Sequence, residues 1–273
     1  MTFRLHRPAT PLQQFVDFFW YYDGFIPQHA MERVLPDGTF ELIINLDATP
    51  RKLFERDNHQ KFRSFRRAWL SGSHSRFIVI DTLLHSSMIG VHFRPGGIAP
   101  FLEMPTSAAS NAVIELDAVW GAAASDLRDA LLEQPNLEAK FRALEKFLLR
   151  RFQPVRVPGG TVRHALDQFL AAPHAVTIGR VCANLGISQK HFIALFRKEV
   201  GLTPKRFCRI RRFHEVLRRI EKQRAIDWAD VACAGGYYDQ AHFIHEFEAF
   251  SGINPTAYLR ERGDYLNHVP IRR

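Results

Sequence analysis

Two segments of the sequence place amide, cationic and small apolar side chains at spacings that share one face of a helix. The first segment contributes Gln189, Lys190, Ile193, Ala194 and Arg197. The second segment contributes Gln240, Ala241, Ile244 and His245. Glutamine can form two hydrogen bonds with adenine, lysine can donate to guanine, and small apolar groups can touch the thymine methyl group. The chemistry open to both segments is therefore recognition of base edges in a DNA groove.

The two segments are parts of an internal repeat. The motif His-Phe, three residues, Phe, four residues, Gly, two residues, Pro begins at His191 and again at His242, an offset of 51 residues. Upstream, Gly186 and Gly236 are offset by 50 residues, so one copy has one more residue in its turn. A repeat of this kind indicates one supersecondary unit that is used twice.

Each copy predicts a helix, a short turn and a second helix. In the first copy Gly186 ends one helix, Ser188 caps the next, and Gly201 ends it. In the second copy Asp239 is the cap and Gly252 is the stop. A small residue four positions before the turn glycine lets the two helices cross closely, which is typical of a helix-turn-helix. These small residues are Cys182 and Ala232.

Residues 204–222 predict a long helix that connects the two units. Its apolar face consists of Ile210, Phe213, Leu217 and Ile220. Its other faces carry Arg209, Arg211, Arg212, Arg218 and Arg219. A helix of about 16 residues spans roughly 24 Å, and successive major grooves lie about 34 Å apart along one face of the duplex. We therefore expect one chain to place two recognition helices in successive grooves.

The charge of the chain is concentrated in the part that contains the repeat. The sequence has 273 residues, with 37 Lys and Arg against 28 Asp and Glu, a net charge of +9. The first 152 residues carry 18 basic and 17 acidic residues, and the remaining 121 carry 19 basic and 11 acidic residues. This asymmetry favours a polyanion-binding module joined to a nearly neutral one, although a basic surface that serves only solubility is the alternative.

Residues from about 161 to 262 resemble the DNA-binding domain of AraC/XylS-type transcription regulators. The resemblance rests on residues 185–188, on the two His-Phe motifs, and above all on residues 236–243 with the sequence Gly-Tyr-Tyr-Asp-Gln-Ala-His-Phe. It implies a domain of seven helices, with two helix-turn-helix units joined by a long helix. Two departures stand out: Cys182 replaces the common alanine, and Glu246 and Glu248 make the second recognition helix less basic.

Further basic side chains near these helices could contact DNA phosphates. His191 and His242 begin the two recognition helices, and either phosphate contact or local capping would account for them. Lys205, Arg206 and Arg209 are candidate phosphate clamps, although a solvated face would account for them as well. Residues 263–273 predict a poorly ordered tail, in which Arg272 and Arg273 could touch phosphate.

The first part of the chain predicts a different kind of fold. The residues predicted to form strands are 39–46, 68–70, 77–84 and 87–93, and the residues predicted to form helices are 123–132 and 137–152. Many short strands favour a small β-barrel, cupin-like, or a sandwich. We therefore expect an α+β protein of two domains: a regulatory or dimerisation domain at 1–152, a linker at 153–160, a DNA-binding domain at 161–262, and a tail at 263–273.

The N-terminal residues also resemble AraC-type regulatory domains. Residues 35–38 and 90–97 together are similar to one subgroup, which implies a sensory or dimerising role without naming an effector. Arg94 could bind an anionic ligand, but we favour an ion pair with Asp37 or Glu41. The histidines that could ligate a metal in a barrel are His29, His74 and His92. Their spacing matches no compact metal motif, so we expect neither a metal nor another cofactor.

The sequence favours a sequence-specific transcription regulator over two alternatives. Its expected partners are double-stranded DNA, RNA polymerase, a small-molecule effector and a second copy of the chain, with activation as the working expectation. One alternative is an enzyme, a metal-dependent barrel or an alkyltransferase, fused to a DNA-binding module. The alkyltransferase would need an N-terminal cysteine, and all three cysteines follow Phe152. The other alternative is an architectural DNA binder without a regulatory function.

The expected location is the cytoplasm. Three scattered cysteines suit a reducing compartment, where we expect them as small buried residues. No apolar run reaches the roughly 18 residues that a membrane span needs. We see no secretory signal in the first residues.

Overall fold

Strands come first in this chain and helices follow. The computed structural model describes residues 2–83, 85–221, 226–263 and 265–272. The strands are β1 (Thr2–His6), β2 (Val16–Phe25), β3 (Met31–Val34), β4 (Glu41–Asn45), β5 (Arg51–Phe54), β6 (Phe62–Phe65), β7 (Ala68–Ser71), β8 (Ile78–Asp81), β9 (Ser86–Phe93), β10 (Val113–Glu115) and β11 (His268–Pro270). The helices are α1 (Asp117–Trp120), α2 (Ala123–Leu132), α3 (Leu137–Arg151), α4 (Gly160–Ala171), α5 (Ile178–Leu185), α6 (Gln189–Val200), α7 (Pro204–Glu221), α8 (Trp228–Ala234), α9 (Gln240–Ser251) and α10 (Pro255–Glu261).

The strands pair in two antiparallel sheets. One sheet has the order β1-β2-β9-β4-β7-β10 and the other has the order β11-β3-β8-β5-β6. Among the described residues, no pairing closes either sheet on itself. The expected α+β fold with a β-rich N-terminal part is therefore confirmed. Residues of both sheets, among them Ile43 and Phe65, share one apolar cluster.

Two large apolar cores follow from this order. The first joins the six-stranded sheet to α2 and α3, where Phe19, Leu42 and Ile89 share a cluster with Leu127 and Leu144. The second fills the helical part of the chain and is rich in phenylalanine. Leu35 from the N-terminal part is buried in this second core, so the two parts of the chain are joined by apolar contact.

Seven helices, α4 to α10, form the described C-terminal part, as the AraC resemblance implies. Side chains cap the helices as the sequence predicts, because Ser188 accepts a hydrogen bond from the His191 N–H and Asp239 accepts one from the His242 N–H. The apolar face of α7 is buried as predicted, and the helix runs to Glu221; position 222 lies outside the described residues.

Most predicted boundaries agree with the structure to within a few residues. The strand predicted at 77–84 is shorter, since β8 ends at Asp81 and position 84 lies outside the described residues. Of the three cysteines, Cys182 is buried, Cys208 is half-buried and Cys233 is exposed. The expectation that all three would be buried is therefore wrong.

The expectation of a poorly ordered tail is wrong. Residues 268–270 form β11, which pairs antiparallel with β3 of the N-terminal part. The Leu35 N–H donates to the Asn267 carbonyl over 2.8 Å, and the Ile271 N–H donates to the Met31 carbonyl over 2.9 Å. The tail is therefore held by a backbone ladder that the sequence pattern of so short a strand does not reveal. Of the two arginines predicted to touch phosphate, Arg272 is exposed and Arg273 lies outside the described residues.

Candidate nucleic-acid interface

The two recognition helices, α6 and α9, bury one face and expose the other. On α6, Gln189, Lys190, Ala194 and Arg197 are exposed and Ile193 is half-buried. On α9, Gln240, Ala241 and His245 are exposed and Ile244 is half-buried. The opposite faces carry phenylalanines that are fully buried in the helical core, among them Phe192 and Phe243. Seven of the nine side chains predicted to contact bases thus lie exposed on the outer faces, while Ile193 is half-buried and Ile244 packs partly against the helical core.

The turn before α9 fixes the orientation of His242. Its backbone N–H donates to Asp239 Oδ1 over 2.7 Å. Its Nδ1 accepts a hydrogen bond of 3.3 Å from the Tyr238 backbone N–H. This geometry is that of a local cap at the helix start, one of the two roles predicted for this residue. His191, at the equivalent position of α6, is exposed.

Glu246 lies on the buried side of α9 and not on its outer face. Its carboxylate accepts a hydrogen bond of 2.7 Å from Arg209 Nε and a second one from Arg209 Nη2, and it lies 3.9 Å from Arg212 Nη2. Burial would raise the pKa of Glu246, but the bond and charge of Arg209 lower it below its usual value. The acidic residue that made this helix look less basic therefore joins α9 to α7, while Glu248 is exposed.

The first turn of α7 concentrates positive charge. Lys205 is exposed and Arg206 is half-buried. Burial, together with the neighbouring guanidinium groups of Arg209 and Arg76, lowers the pKa of Arg206, although Glu246 opposes them. Of the three predicted phosphate clamps, Lys205 and Arg206 are free of ion pairs within the described ranges, whereas Arg209 is paired with Glu246.

The N-terminal part touches the carboxyl ends of both recognition helices. Thr106 Oγ1 donates to the Lys198 carbonyl over 2.8 Å, and Ser110 Oγ donates to the Gly201 carbonyl over 2.7 Å. At the end of α9, the Phe77 N–H donates to the Phe250 carbonyl over 2.9 Å. These contacts leave the outer faces of the helices uncovered.

A group of charged residues links the six-stranded sheet to α7. Arg211 Nη1 donates to the Asp37 carbonyl over 3.2 Å, and the Asp37 carboxylate lies 3.5 Å from His92 Nε2. Burial would raise the pKa of Asp37, but the charge of His92 and two hydrogen bonds from Thr39 lower it. On α7, burial lowers the pKa of His214 to about 4, so this ring is neutral at pH 7.

His92 adds a second cation to this group, beside Arg211. Burial would lower its pKa, but a hydrogen bond to Glu41 and the charge of Asp37 raise it to about 9. Its Nδ1 lies 3.5 Å from Glu41 Oε1, and its ring stacks on Phe18 with centroids 4.7 Å apart. Sequence patterns did not reveal this link, because residues 36–38 have the composition of a simple turn. Gly38 has a φ of 82° and lies against the Phe207 ring of α7. A glycine in a turn can indicate such a close approach of the backbone to another element.

The pairing expected for Arg94 is wrong. Its Nη2 pairs with Asp17 Oδ1 at 3.1 Å and its Nε donates to the Gln13 carbonyl over 2.9 Å, so strand β2 and the turn before it supply its partners. Asp37 and Glu41, the partners that we expected, pair with His92. The reason is the strand register, since His92 on β9 is aligned directly opposite Glu41 on β4.

The three histidines considered as metal ligands each have another polar neighbour. His29 Nε2 lies 3.3 Å from Glu32, and His74 Nε2 lies 3.1 Å from Ser71 Oγ. In the part of the chain that the structure describes, no three His, Cys, Asp or Glu side chains come together as metal ligands would. Within the same ranges, every helix is too short or too polar to serve as a membrane span.

Two protein families match parts of the sequence. Residues 181–261 match a family described as a helix-turn-helix domain, and residues 4–115 match a family described as a domain of unknown function. No curated protein matches the chain.

Among solved structures, the chain is similar to ToxT from Vibrio cholerae, with 9% identity over 89% of this chain and 98% of ToxT, at a TM-score of 0.47. It is also similar to ToxT of strain O395 bound to (E)-4-(8-methylnaphthalen-1-yl)but-3-enoic acid, with 10% identity over 89% and 98% of the two chains, at a TM-score of 0.49. The C-terminal domain of AraT, a response regulator from Geobacillus stearothermophilus, matches 40% of this chain over 92% of its own length, with 20% identity and a TM-score of 0.36.

The C-terminal part of the chain is therefore a helix-turn-helix DNA-binding domain. Its two units, joined by α7 and matched at an offset of 51 residues, have the arrangement that the AraC resemblance implies. The C-terminal domain is of the AraC type. It supports a function of the chain in DNA binding and transcription regulation.

Proposed function

We propose that this regulator binds two successive major grooves, with α6 in one and α9 in the other. The observation that carries the proposal is the burial pattern of these helices: their apolar backs are held by one core, and their outer faces are exposed. The outer residue of α6 best suited to adenine is Gln189, and the one best suited to guanine is Lys190. On α9, Gln240 matches Gln189 at the offset of 51 residues, whereas His245 matches Ala194 and adds a polar side chain that α6 lacks there. The small or branched side chains at 193, 194, 241 and 244 suit thymine methyl groups.

Lys205 and Arg206 are proposed as phosphate contacts that give affinity without sequence preference. Arg209 and His242 support this role less directly, because one is paired with Glu246 and the other accepts a local hydrogen bond. His191 is exposed at the start of α6, where the helix dipole also favours a phosphate.

The N-terminal part is proposed to modulate DNA binding. Its contacts reach α7 and the carboxyl ends of both recognition helices, so a change in its packing would alter the spacing of the two helices. An effector, a second copy of the chain or RNA polymerase could each produce such a change, and activation of transcription in the cytoplasm is the outcome we propose. Arg94 remains a candidate for binding an anion because its side chain is half-exposed, but its ion pair with Asp17 competes with that role.

The decisive experiment is selection of genomic DNA by the purified full chain, followed by footprinting on the selected sites. Protection of two adjacent major grooves on one face of the duplex, about 10 base pairs apart, is expected. Protection of a single groove, or selection of DNA without any common sequence, would contradict the proposal. The selected promoters would also name the regulated genes.

A further inference from the structure

A strongly basic ribbon lies in the N-terminal part. We define the basic ribbon as residues 51–67, which comprise β5, β6 and the loop between them. It contains seven of the 18 basic residues of the first 152, and only two acidic residues, Glu55 and Asp57. The nearly neutral charge of the N-terminal part as a whole therefore conceals a local excess of five positive charges.

Most of these cations are exposed and have no carboxylate partner. The exposed basic residues of the ribbon are Lys52, Arg56, Lys61, Arg63, Arg66 and Arg67. Within the described ranges none of the six forms an ion pair, whereas Arg51, which is buried, pairs with Asp47. A local excess of like charge creates a positive potential that attracts polyanions, and Asp81 near Lys52 and Glu115 near Arg63 offset only part of it.

Aromatic rings lie among the cations. Phe62 is 47% exposed on the edge strand β6, and Lys52 Nζ lies 4.5 Å from the centroid of its ring. On the other face of the strand, the Arg63 guanidinium lies 5.2 Å from the Phe65 ring, near Glu115. Lys52 is held at the surface by its contact with Phe62, and exposed cations of this kind donate to duplex phosphates.

The ribbon is electrostatically continuous with the start of α7. β5 and β8 are antiparallel with Phe54 opposite Val79, so the loop after β5, which contains Arg56, begins beside the segment at 77–78. The Phe77 N–H in that segment donates to the Phe250 carbonyl of α9 over 2.9 Å, so this end of the ribbon lies next to the DNA-binding domain. Arg76, which immediately precedes Phe77, is exposed, and its charge contributes to lowering the pKa of Arg206 in the first turn of α7. Positive charge therefore extends from the ribbon through Arg76 to the side chains proposed as phosphate contacts.

The sheet holds the ribbon at its outer edge. The order β11-β3-β8-β5-β6 puts β6 at the opposite edge from β11, which directly follows α10 of the DNA-binding domain. Four strand spacings of roughly 4.8 Å separate the two edges by about 19 Å. The edge of β6 has no strand beside it among the described residues.

We propose that the basic ribbon is a second DNA-contact site, which binds the phosphate backbone beside the grooves that α6 and α9 occupy. This inference rests on the proposed function, because DNA already held by the recognition helices is present at high effective concentration near the ribbon. An acidic protein surface would be the other polyanionic partner. The continuity of charge with Arg206 favours DNA.

The test measures DNA binding by the full chain across a range of about 50 to 200 mM salt. The ribbon variant combines Arg56→Gln, Lys61→Gln and Arg66→Gln, all at exposed positions. The matched control combines Arg142→Gln, Lys146→Gln and Arg150→Gln on the exposed face of α3, which removes the same charge. The probes are mixed-sequence duplexes of about 20 and about 40 base pairs, the shorter of which spans two helical turns. Circular dichroism and thermal unfolding would verify that both variants fold as the unaltered chain does.

The ribbon variant is expected to bind the longer duplex on the order of ten- to a hundredfold more weakly than the control. Its salt slope is expected to decrease by about 0.9 for each phosphate that the substituted side chains no longer neutralise. Equal affinities and slopes for the two variants would overturn the inference while leaving the proposed function intact. Loss of polymerase-dependent transcription without loss of DNA binding would overturn it in favour of an acidic protein partner. If the unaltered chain bound neither duplex, the proposed function itself would fail.

Discussion

Ser110 donates a hydrogen bond of 2.7 Å to the carbonyl of Gly201, and this bond joins the N-terminal part to the end of the first recognition helix. Gly201 has a φ of 95°, and a Cβ at this position would lie 2.5 Å from the same Ser110 hydroxyl oxygen. Gly252, at the equivalent position of the second unit, lies against the Phe77 ring in a similar way. Both copies of the repeat therefore end in a glycine that is packed against the N-terminal part.

The first prediction compares Gly201→Ala with Gly186→Ala. Both glycines end helices at positive φ, so each substitution costs about 1–2 kcal/mol of strain. A Cβ at Gly186 would meet nothing within 4 Å, whereas one at Gly201 crowds Ser110 and Ser73. Urea unfolding should therefore show a loss for Gly201→Ala that is larger by about 1 kcal/mol, as expected when the Ser110 bond is also broken. Equal losses would show that the contact contributes nothing to stability.

The second prediction separates base contacts from phosphate contacts. Gln189→Ala and Lys190→Ala should each reduce the preference for the selected operator over random DNA by about 1–3 kcal/mol. Arg206→Ala should weaken binding to both DNAs about equally and decrease the salt slope by about 0.9. Titrations of each variant on both DNAs would check this, and a uniform loss for Gln189→Ala would remove that residue from the base contacts.

The third prediction concerns alkaline pH. The pKa of His92 is raised from 6.5 to about 9 in the folded chain, so the folded state holds its proton more tightly than the unfolded state does. The stability that this histidine contributes is fully present below pH 6.5 and is lost as the pH rises through 9. The loss should amount to about 3 kcal/mol.

Denaturant unfolding at a series of pH values would measure this loss. The matched control is His92→Gln, which keeps a polar side chain beside Asp37 and Glu41 but cannot titrate. The difference in unfolding free energy between the two proteins should shrink as the pH rises. A constant difference across that range would mean that His92 is not charged in the folded chain.

The fourth prediction concerns the pair between the tail and β3. His268 Nδ1 lies 2.6 Å from Glu32 Oε1. Burial would raise the pKa of Glu32, but His268 and His29 outweigh this effect and lower the pKa to about 2. His268→Ala leaves a buried carboxylate with one partner fewer, and breaking such a pair costs about 3 kcal/mol. Faster hydrogen exchange in β3 and a lower free energy of unfolding are expected, with Thr256→Ala on the exposed side of α10 as the control. Unchanged exchange in β3 would contradict this.

The helical part was predictable from sequence because its signals are local. Gly186, Ser188 and Asp239 act within a few residues of their own positions, and the offset of 51 residues doubles the weight of each signal. The partner of Arg94 was not predictable, because it depends on which strands lie side by side. His92 lies opposite Glu41 only because β9 pairs with β4 in one register. The tail was missed for the same reason, since three residues carry no periodic pattern and β11 forms only beside β3.

The pairing of β11 with β3 also sets the order in which the chain can assemble. Residues 31–34 leave the ribosome early, but the strand that covers their edge is supplied by residues 268–270. During synthesis, β3 of the five-stranded sheet therefore lacks its neighbour β11 until both DNA-binding units have emerged from the ribosome. The five-stranded sheet of the N-terminal part can therefore be completed only after the helix-turn-helix domain has been synthesised.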